Sequence, residues 1–312
     1  MSTFVPVVNM ADPAAPAVIS KACRDHGFFY LENHGVPDEM VQQIFNQSKV
    51  FFELDTAAKM TVESGMKIRG YTSLGKEMID KQGQSRGGTK ETFDIGKDLD
   101  PDSLGAIKTV RVNQWPSESL VPGWKANMTE YFIAMHALAE RLARLLAVSV
   151  GVDPKFFEGC FSESMCFLRL NRYAPEISDP AKGVFGVGKH TDWSMFTLLA
   201  TDQVPGLQIL IQGKWVEVHP RPGAFICNIG DMLQTWTNDH LRSTVHRVVN
   251  KLGRERYSLP FFVMPNFDTE VACLPQFCSE DDPAKYPPTT SGNYIREKFQ
   301  QLHSNKAGNI KE

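Results

Sequence analysis

The sequence predicts a mainly β fold, a barrel or jelly roll flanked by helices, and three observations lead there. From about residue 165 onward, short apolar runs of strand length follow one another closely, separated by turn residues such as Gln212-Gly213 and Arg221-Pro222-Gly223. Ahead of them stands one long stripe, Phe132, Met135, Leu138, Leu142 and Leu145, spaced as one face of a helix. The chain has 312 residues, 42% of them hydrophobic and 22% charged, which is enough to bury a sizeable core in a globular protein.

Taken in order, residues 14–26 read as a helix, Gly27-Phe28-Phe29-Tyr30-Leu31 as a buried strand, and His34-Gly35-Val36-Pro37 as a turn into a second helix opened by Asp38 and Glu39. Residues 64–122 are rich in Gly, Ser, Asp, Lys and Pro, and their weak periodicity predicts long loops of functional interest. A long helix then runs to Gly151, its Met and Leu stripe packing on a sheet. Strands are expected over Met165 to Arg172, Thr197 to Ala200, Leu207 to Ile211, Trp215 to His219, Ala224 to Asn228, Thr244 to Val249 and Tyr257 to Val263. A last helix, Tyr294 to His303, is expected outside the barrel or over its mouth. This divides the chain into an N-terminal helical and mixed region, 1–122, and a long helix with the β core and C-terminal helix, 123–312. No internal repeat is evident.

A formal net charge of -3 argues against a binder of nucleic-acid backbones, which concentrates basic residues. A small-molecule partner is expected, with no obligate protein partner. No run nears the roughly twenty apolar residues that span a bilayer, and the N-terminus lacks the pattern of a secretory signal. The last four residues match neither a peroxisomal nor an ER address. Cys23, Cys160, Cys166, Cys227, Cys273 and Cys278 form no C-x-x-C pair, and Cys227 sits in an apolar run as a core residue would. A cytoplasmic location follows as the expectation.

Chemistry enters at His190-Thr191-Asp192. On extended chain, residues i and i+2 point the same way, so imidazole and carboxylate can meet at one point. Chance alone supplies about 0.4 such triplets in a chain with this many histidines, so a second element is needed. His246, in the alternating run Ser243 to Val249, provides it. Two histidines and one carboxylate make the facial triad of non-haem Fe(II) oxygenases, which leaves metal positions open. Ten residues on, Arg256-Tyr257-Ser258 again places i and i+2 on one face, where a guanidinium and a hydroxyl can grip a carboxylate. His34 reads as a structural turn residue, and alternation aims Lys189 away from the triad.

With these residues the chain resembles the 2-oxoglutarate/Fe(II) dioxygenase superfamily, in the branch of isopenicillin N synthase, plant flavonoid and gibberellin oxygenases and thymine hydroxylase. The segments Gly27 to Val36, Arg69-Gly70-Tyr71, Gly206-Leu207-Gln208 and Asn228-Ile229-Gly230-Asp231 extend the resemblance over nearly the whole chain. It implies a double-stranded β-helix core; Fe(II) on His190, Asp192 and His246; 2-oxoglutarate as co-substrate, with O2, and ascorbate as reductant; and release of succinate and CO2. It also implies that Arg256 and Ser258 hold the distal carboxylate and that Asn171 and Tyr173 touch the co-substrate. Many relatives have two adjacent tyrosines before proline, where this chain has Arg172-Tyr173-Ala174-Pro175. Substrate residues are expected at Arg69, Tyr71, Phe93, Trp193 and Phe262. Hydroxylation is the leading outcome, with demethylation, desaturation or ring closure beside it. Two other readings stay open: an oxidase of the same fold that does not use 2-oxoglutarate, and a catalytically silent ligand-binding protein.

Overall fold

The computed structural model describes residues 5–65, 69–97 and 112–304. Its elements run β1 (Val7–Asn9), α1 (Ala15–Asp25), β2 (Phe28–Glu32), α2 (Asp38–Glu53), α3 (Thr56–Met60), β3 (Gly70–Thr72) and β4 (Lys90–Gly96). The long α4 (Trp124–Ser149) leads into β5 (Phe167–Tyr173), β6 (Val187–His190), β7 (Phe196–Thr201), β8 (Leu207–Ile211), β9 (Lys214–Val218) and β10 (Phe225–Ile229). There follow α5 (Asp231–Trp236), β11 (His246–Val248), β12 (Arg256–Val263), the small pair β13 (Glu270–Val271) and β14 (Thr289–Thr290), and α6 (Ser291–Ser304).

An eight-stranded sheet in the order β1-β2-β10-β7-β12-β5-β4-β3 lies against a four-stranded sheet in the order β6-β11-β8-β9. Together they form the jelly roll. Period-two alternation assigns every side chain of the large sheet to one of two faces. On the outer face Phe29, Phe93, Leu198, Cys227, Leu259 and Phe261 form one core with α1, α2 and α4. On the inner face Phe28, Tyr30 and Ile226 meet Leu207, Ile209 and Val218 of the small sheet. That apolar plug fills one end of the sandwich, and the other end stays open as a cavity.

The helices form for visible reasons. In α1 a proline stands in the first turn, and Ala15, Ile19, Ala22 and Cys23 make a buried stripe. In α4 the expected stripe is buried, joined by Trp124, Met128, Tyr131 and Leu146; Leu145 is only partly buried.

Where the reading of 64–122 as loops meets described residues, it is corrected. Residues 66–68 and 98–111 of that stretch, and the two chain ends, lie outside the described residues. But β4 pairs with β5 over its whole length, from Lys90↔Tyr173 to Gly96↔Phe167, and every one of its residues is buried. Its Lys90, Glu91, Thr92 and Asp94 gave it a loop-like composition. Three of them are buried in ion pairs: Lys90 with Glu77 at 2.8 Å, Glu91 with Lys59 at 2.9 Å and Arg172 at 2.6 Å, and Asp94 with Arg169 at 2.7 Å. The strands β1 to β4, all before residue 122, complete the same large sheet as the C-terminal strands, and both regions share one core. No helix among the described residues is long and apolar enough to cross a membrane.

Candidate active site

The two candidate imidazoles meet because their strands pair. β6 and β11 run antiparallel with His190 directly opposite His246, and the ring centroids stand 4.2 Å apart. Asp192 follows His190 by two residues, just past the end of β6, and turns its Oδ1 towards both rings: 3.7 Å from His190 Nε2 and 3.6 Å from His246 Nε2. The three ligand atoms lie within 4.8 Å of one another. Lys189, next to His190 in sequence, is exposed on the opposite side, as alternation requires.

Each ligand is oriented by a second contact. His190 Nδ1 donates to the carbonyl of Gly188 at 2.9 Å, and His246 Nδ1 to that of Thr244 at 3.0 Å, which leaves both Nε2 lone pairs facing the shared point. Asp192 Oδ2 accepts from Thr197 Oγ1 at 2.7 Å and Asn228 Nδ2 at 2.8 Å, so Oδ1 is the oxygen left for a metal. The loop after Asp192 is pinned by the start of α5. Asp231 N donates to the Asp192 carbonyl at 2.8 Å, and Gly230 N to that of Met195 at 2.9 Å. Gly230 must be glycine here, because a Cβ would lie 2.0 Å from the Ser194 carbonyl oxygen. The Asp231 carboxylate ties this loop to its neighbours, accepting from Ser243 Oγ at 2.6 Å, Tyr294 Oη at 2.9 Å and Thr191 Oγ1 at 3.3 Å.

Burial and mutual charge set the protonation of the triad. Burial pushes the His190 imidazole down to about 4. Burial alone would raise Asp192, but His246, His190 and the Asn228 hydrogen bond outweigh it and hold the carboxyl well below the usual carboxylate range. Burial opposes charging of His246, yet the Asp192 carboxylate raises it above the ordinary imidazole value.

Two neutral imidazole nitrogens and one carboxylate oxygen suit Fe(II) and leave positions for other ligands. A second feature suits a dicarboxylate. On β12 and β5, Arg256 lies opposite Tyr173 and Ser258 opposite Asn171. The Arg256 side chain is only 2% exposed, its guanidinium sits 4.8 Å from the Tyr173 ring centroid, and its Nε donates to the Val204 carbonyl at 3.1 Å. Its Nη1 is buried with no hydrogen-bond partner. A permanent charge with an orphaned donor, in a pocket, calls for an anion. Asn171 Nδ2 donates to Ser258 Oγ at 3.2 Å. Arg172, where this chain departs from many relatives, points outward to Glu91 and Glu255.

All these residues except Arg172 line or adjoin one cavity of about 1230 Å³. Along β12 and β5 the inner face presents Arg256, Ser258, Pro260, Phe262 and Tyr173, Asn171, Arg169, Phe167 in succession. Of the residues expected to meet the substrate, Arg69, Trp193 and Phe262 line the cavity. Tyr71 and Phe93 do not, which corrects that expectation. They are cross-strand partners on the outer face of β3 and β4, where Phe93 packs on Phe51 and Trp124, and Tyr71 Oη donates to Glu91 at 2.5 Å. His34, buried and 4.4 Å from the Phe225 ring, is structural: its Nδ1 accepts from Val36 N at 3.2 Å. Reading the residues one by one missed Thr197 and the roles of Asn228 and Asp231. The Asn228 to Asp231 motif was the one signal that could have pointed to two of them.

Comparison with known proteins agrees over both regions. Residues 5–118 match the family described as non-haem dioxygenase in morphine synthesis N-terminal, and residues 164–265 match the 2OG-Fe(II) oxygenase superfamily. Azadirone synthase of Melia azedarach is 35% identical, over 96% of this chain and 93% of its own. The 2-oxoglutarate-Fe(II) type oxidoreductase hxnY of Emericella nidulans is 32% identical, over 94% and 86%. Among solved structures, a full-length Neurospora crassa protein in complex with alpha-KG superposes with a TM-score of 0.85 at 27% identity, covering 96% of this chain and 97% of that one. JOX2 in complex with 2OG, Fe and JA gives 0.79 at 30% identity, covering 94% and 84%. The converging triad, the buried guanidinium in the same cavity and the similarity along the whole chain have a common cause: this chain belongs to the 2-oxoglutarate–Fe(II) oxygenase superfamily and is an oxygenase of that kind.

Proposed function

We propose that the enzyme hydroxylates a C–H bond of a medium-sized small molecule bound beside Trp193, Phe262 and Arg69, and that it works in the cytoplasm, a reducing compartment that suits its six free cysteines. The observation that carries the co-substrate half of this reading is the orphaned Nη1 of buried Arg256. With Ser258 beside it, Arg256 takes the distal carboxylate of 2-oxoglutarate, while Asn171 holds Ser258 and Tyr173 offers its ring face to the guanidinium. When bound, Fe(II), 2-oxoglutarate and O2 together supply the oxidant, with succinate and CO2 as products.

The chain's own part is to hold and to exclude. His190 and His246 present Nε2 because their Nδ1 protons are held by backbone carbonyls, and Asp192 presents Oδ1 because Thr197 and Asn228 occupy Oδ2. Phe28, 5.5 Å from the His246 ring, and Leu199, Val187 and Val248 keep the surroundings apolar and water out. Fe(II)-dependent succinate formation from 2-oxoglutarate, assayed with ascorbate present, tests the reading. Asp192→Ala is expected to abolish it. A folded variant that decarboxylates 2-oxoglutarate at the parent rate would overturn the ligand assignment.

A further inference from the structure

Beyond the iron and co-substrate positions, the cavity walls sort into apolar surfaces and charges. Phe167 and Phe262 stack at 4.6 Å and 24° on the sheet side. Trp193, next to the ligand Asp192, meets Phe299 of α6 edge-on at 5.5 Å on the other. α6 is seated closely: a Cβ on Gly292 would stand 2.2 Å from the Phe267 ring. From this helix Ile295, Arg296 and Phe299 face the cavity.

The acidic groups that line the cavity already have partners. Glu63 pairs with Lys76; Glu77 pairs with Lys90 and Arg169, each at 2.8 Å; Asp94 takes two hydrogen bonds from Arg169, at 2.7 and 2.8 Å; and Asp192 belongs to the metal triad. No carboxylate among them is left for a cationic substrate. Lys76, Lys90 and Arg169 are neutralised in the same pairs, Arg256 is assigned to the co-substrate, and the two other cations of the lining, Lys81 and the buried Arg69, whose guanidinium carbon stands 5.2 Å from the Phe167 ring, are already engaged by the protein. Arg296 differs. Among the described residues it has no acidic partner, and its contact is the face of the Phe267 ring, 5.3 Å from its guanidinium carbon. A ring face orients a guanidinium without neutralising it.

We propose that the substrate carries an anionic group, a carboxylate or its equivalent, which Arg296 receives, and that its apolar body lies between the Phe167–Phe262 stack and the Trp193–Phe299 pair. This rests on the oxygenase reading above and adds the charge of the substrate to it. A cavity of about 1230 Å³ holds a drug-sized molecule together with 2-oxoglutarate. Arg296 stands one turn before Phe299 on the same face of α6, so one helix supplies both the charge and part of the apolar wall.

The test uses the anaerobic enzyme loaded with Fe(II) and 2-oxoglutarate, whose visible charge-transfer band reports the loaded site. Naphthalene-2-carboxylate and naphthalene-2-carboxamide, equal in shape and unequal in charge, are titrated calorimetrically. Arg296 is exposed at the cavity wall, so the acid is expected to bind about two- to fivefold more tightly than the amide, the value of a charge pair open to solvent, with the band retained. Arg296→Gln is expected to abolish that preference while leaving the affinity for the amide unchanged. Equal affinities, no binding of either probe, a preference that survives Arg296→Gln, or loss of the band as the acid binds would each overturn the proposal and leave the oxygenase reading standing. Failure of the wild type to form the band would remove both. Should Arg296→Gln itself not form the band, the wild-type ratio of acid to amide decides.

Discussion

Replacing Arg256 by Met separates what the guanidinium does for the fold from what it does for the co-substrate. Met has a similar length and no charge. In the protein without 2-oxoglutarate, the change removes the Nε–Val204 hydrogen bond and the contact with the Tyr173 ring, worth about 1 kcal/mol each. It also removes the buried, unpartnered Nη1, which costs about 1–3 kcal/mol. The terms nearly cancel, so stability to urea is expected to shift by no more than about 1 kcal/mol. Co-substrate binding has no such cancellation. A carboxylate brought into that pocket without its cation loses about 3–5 kcal/mol, a weakening of roughly 10² to 10³-fold or somewhat more. Anaerobic titration of 2-oxoglutarate into the Fe(II) enzyme measures it. If the affinity changes less than threefold, Arg256 does not hold the carboxylate. If the variant instead loses more than about 3 kcal/mol of stability, the residue is a structural ion and the orphaned donor has been misread.

Iron binding should depend on pH with the stoichiometry of one proton. His246 is held above the ordinary imidazole value near 6.5, so its Nε2 is increasingly protonated as pH falls through that raised value; His190, pushed down to about 4, stays neutral until far lower. Fe(II) affinity is therefore full at high pH and falls by about one logarithmic unit per pH unit between roughly pH 6 and 5; a slope of two in equilibrium titrations would refute this division. Phe93→Ala should cost about 3–5 kcal/mol in denaturant unfolding, since its ring packs on Phe51 and Trp124, and should leave the co-substrate affinity of the folded fraction unchanged. A selective rise in substrate KM at full stability would restore Phe93 to the cavity. Gly230→Ala drives a methyl into the Ser194 carbonyl, displacing the loop that carries Asp192. It should weaken Fe(II) binding more than tenfold at a stability cost of about 1–3 kcal/mol, and unchanged Fe(II) affinity would show that the loop is not set by that contact.

The metal triad and the Arg256–Ser258 pair were legible in the sequence because each is a local pattern, an i, i+2 pair or a single histidine on alternating strand, and alternation alone says which side chains share a face. The long stripe of α4 and the apolar strands β8, β10 and β12 were legible for the same reason: burial on one or both faces leaves a periodic trace. Only the tertiary structure decided the rest. β4 is buried by ion pairs with Glu77, Lys59, Arg169 and Arg172, residues distant in sequence, so its charges imitate a loop until those partners are in place. Tyr71 and Phe93 face the helices because β3 and β4 pair in one register, which a lone aromatic residue does not announce. The choice of Oδ1 as the Asp192 ligand atom, the orphaned donor of Arg256 and the convergence of Arg296 with Phe299 on the cavity are facts of three-dimensional distance. Periodicity along a chain records which faces are wet or dry; it does not record which distant groups meet, because that depends on how the two sheets and the helices close on one another.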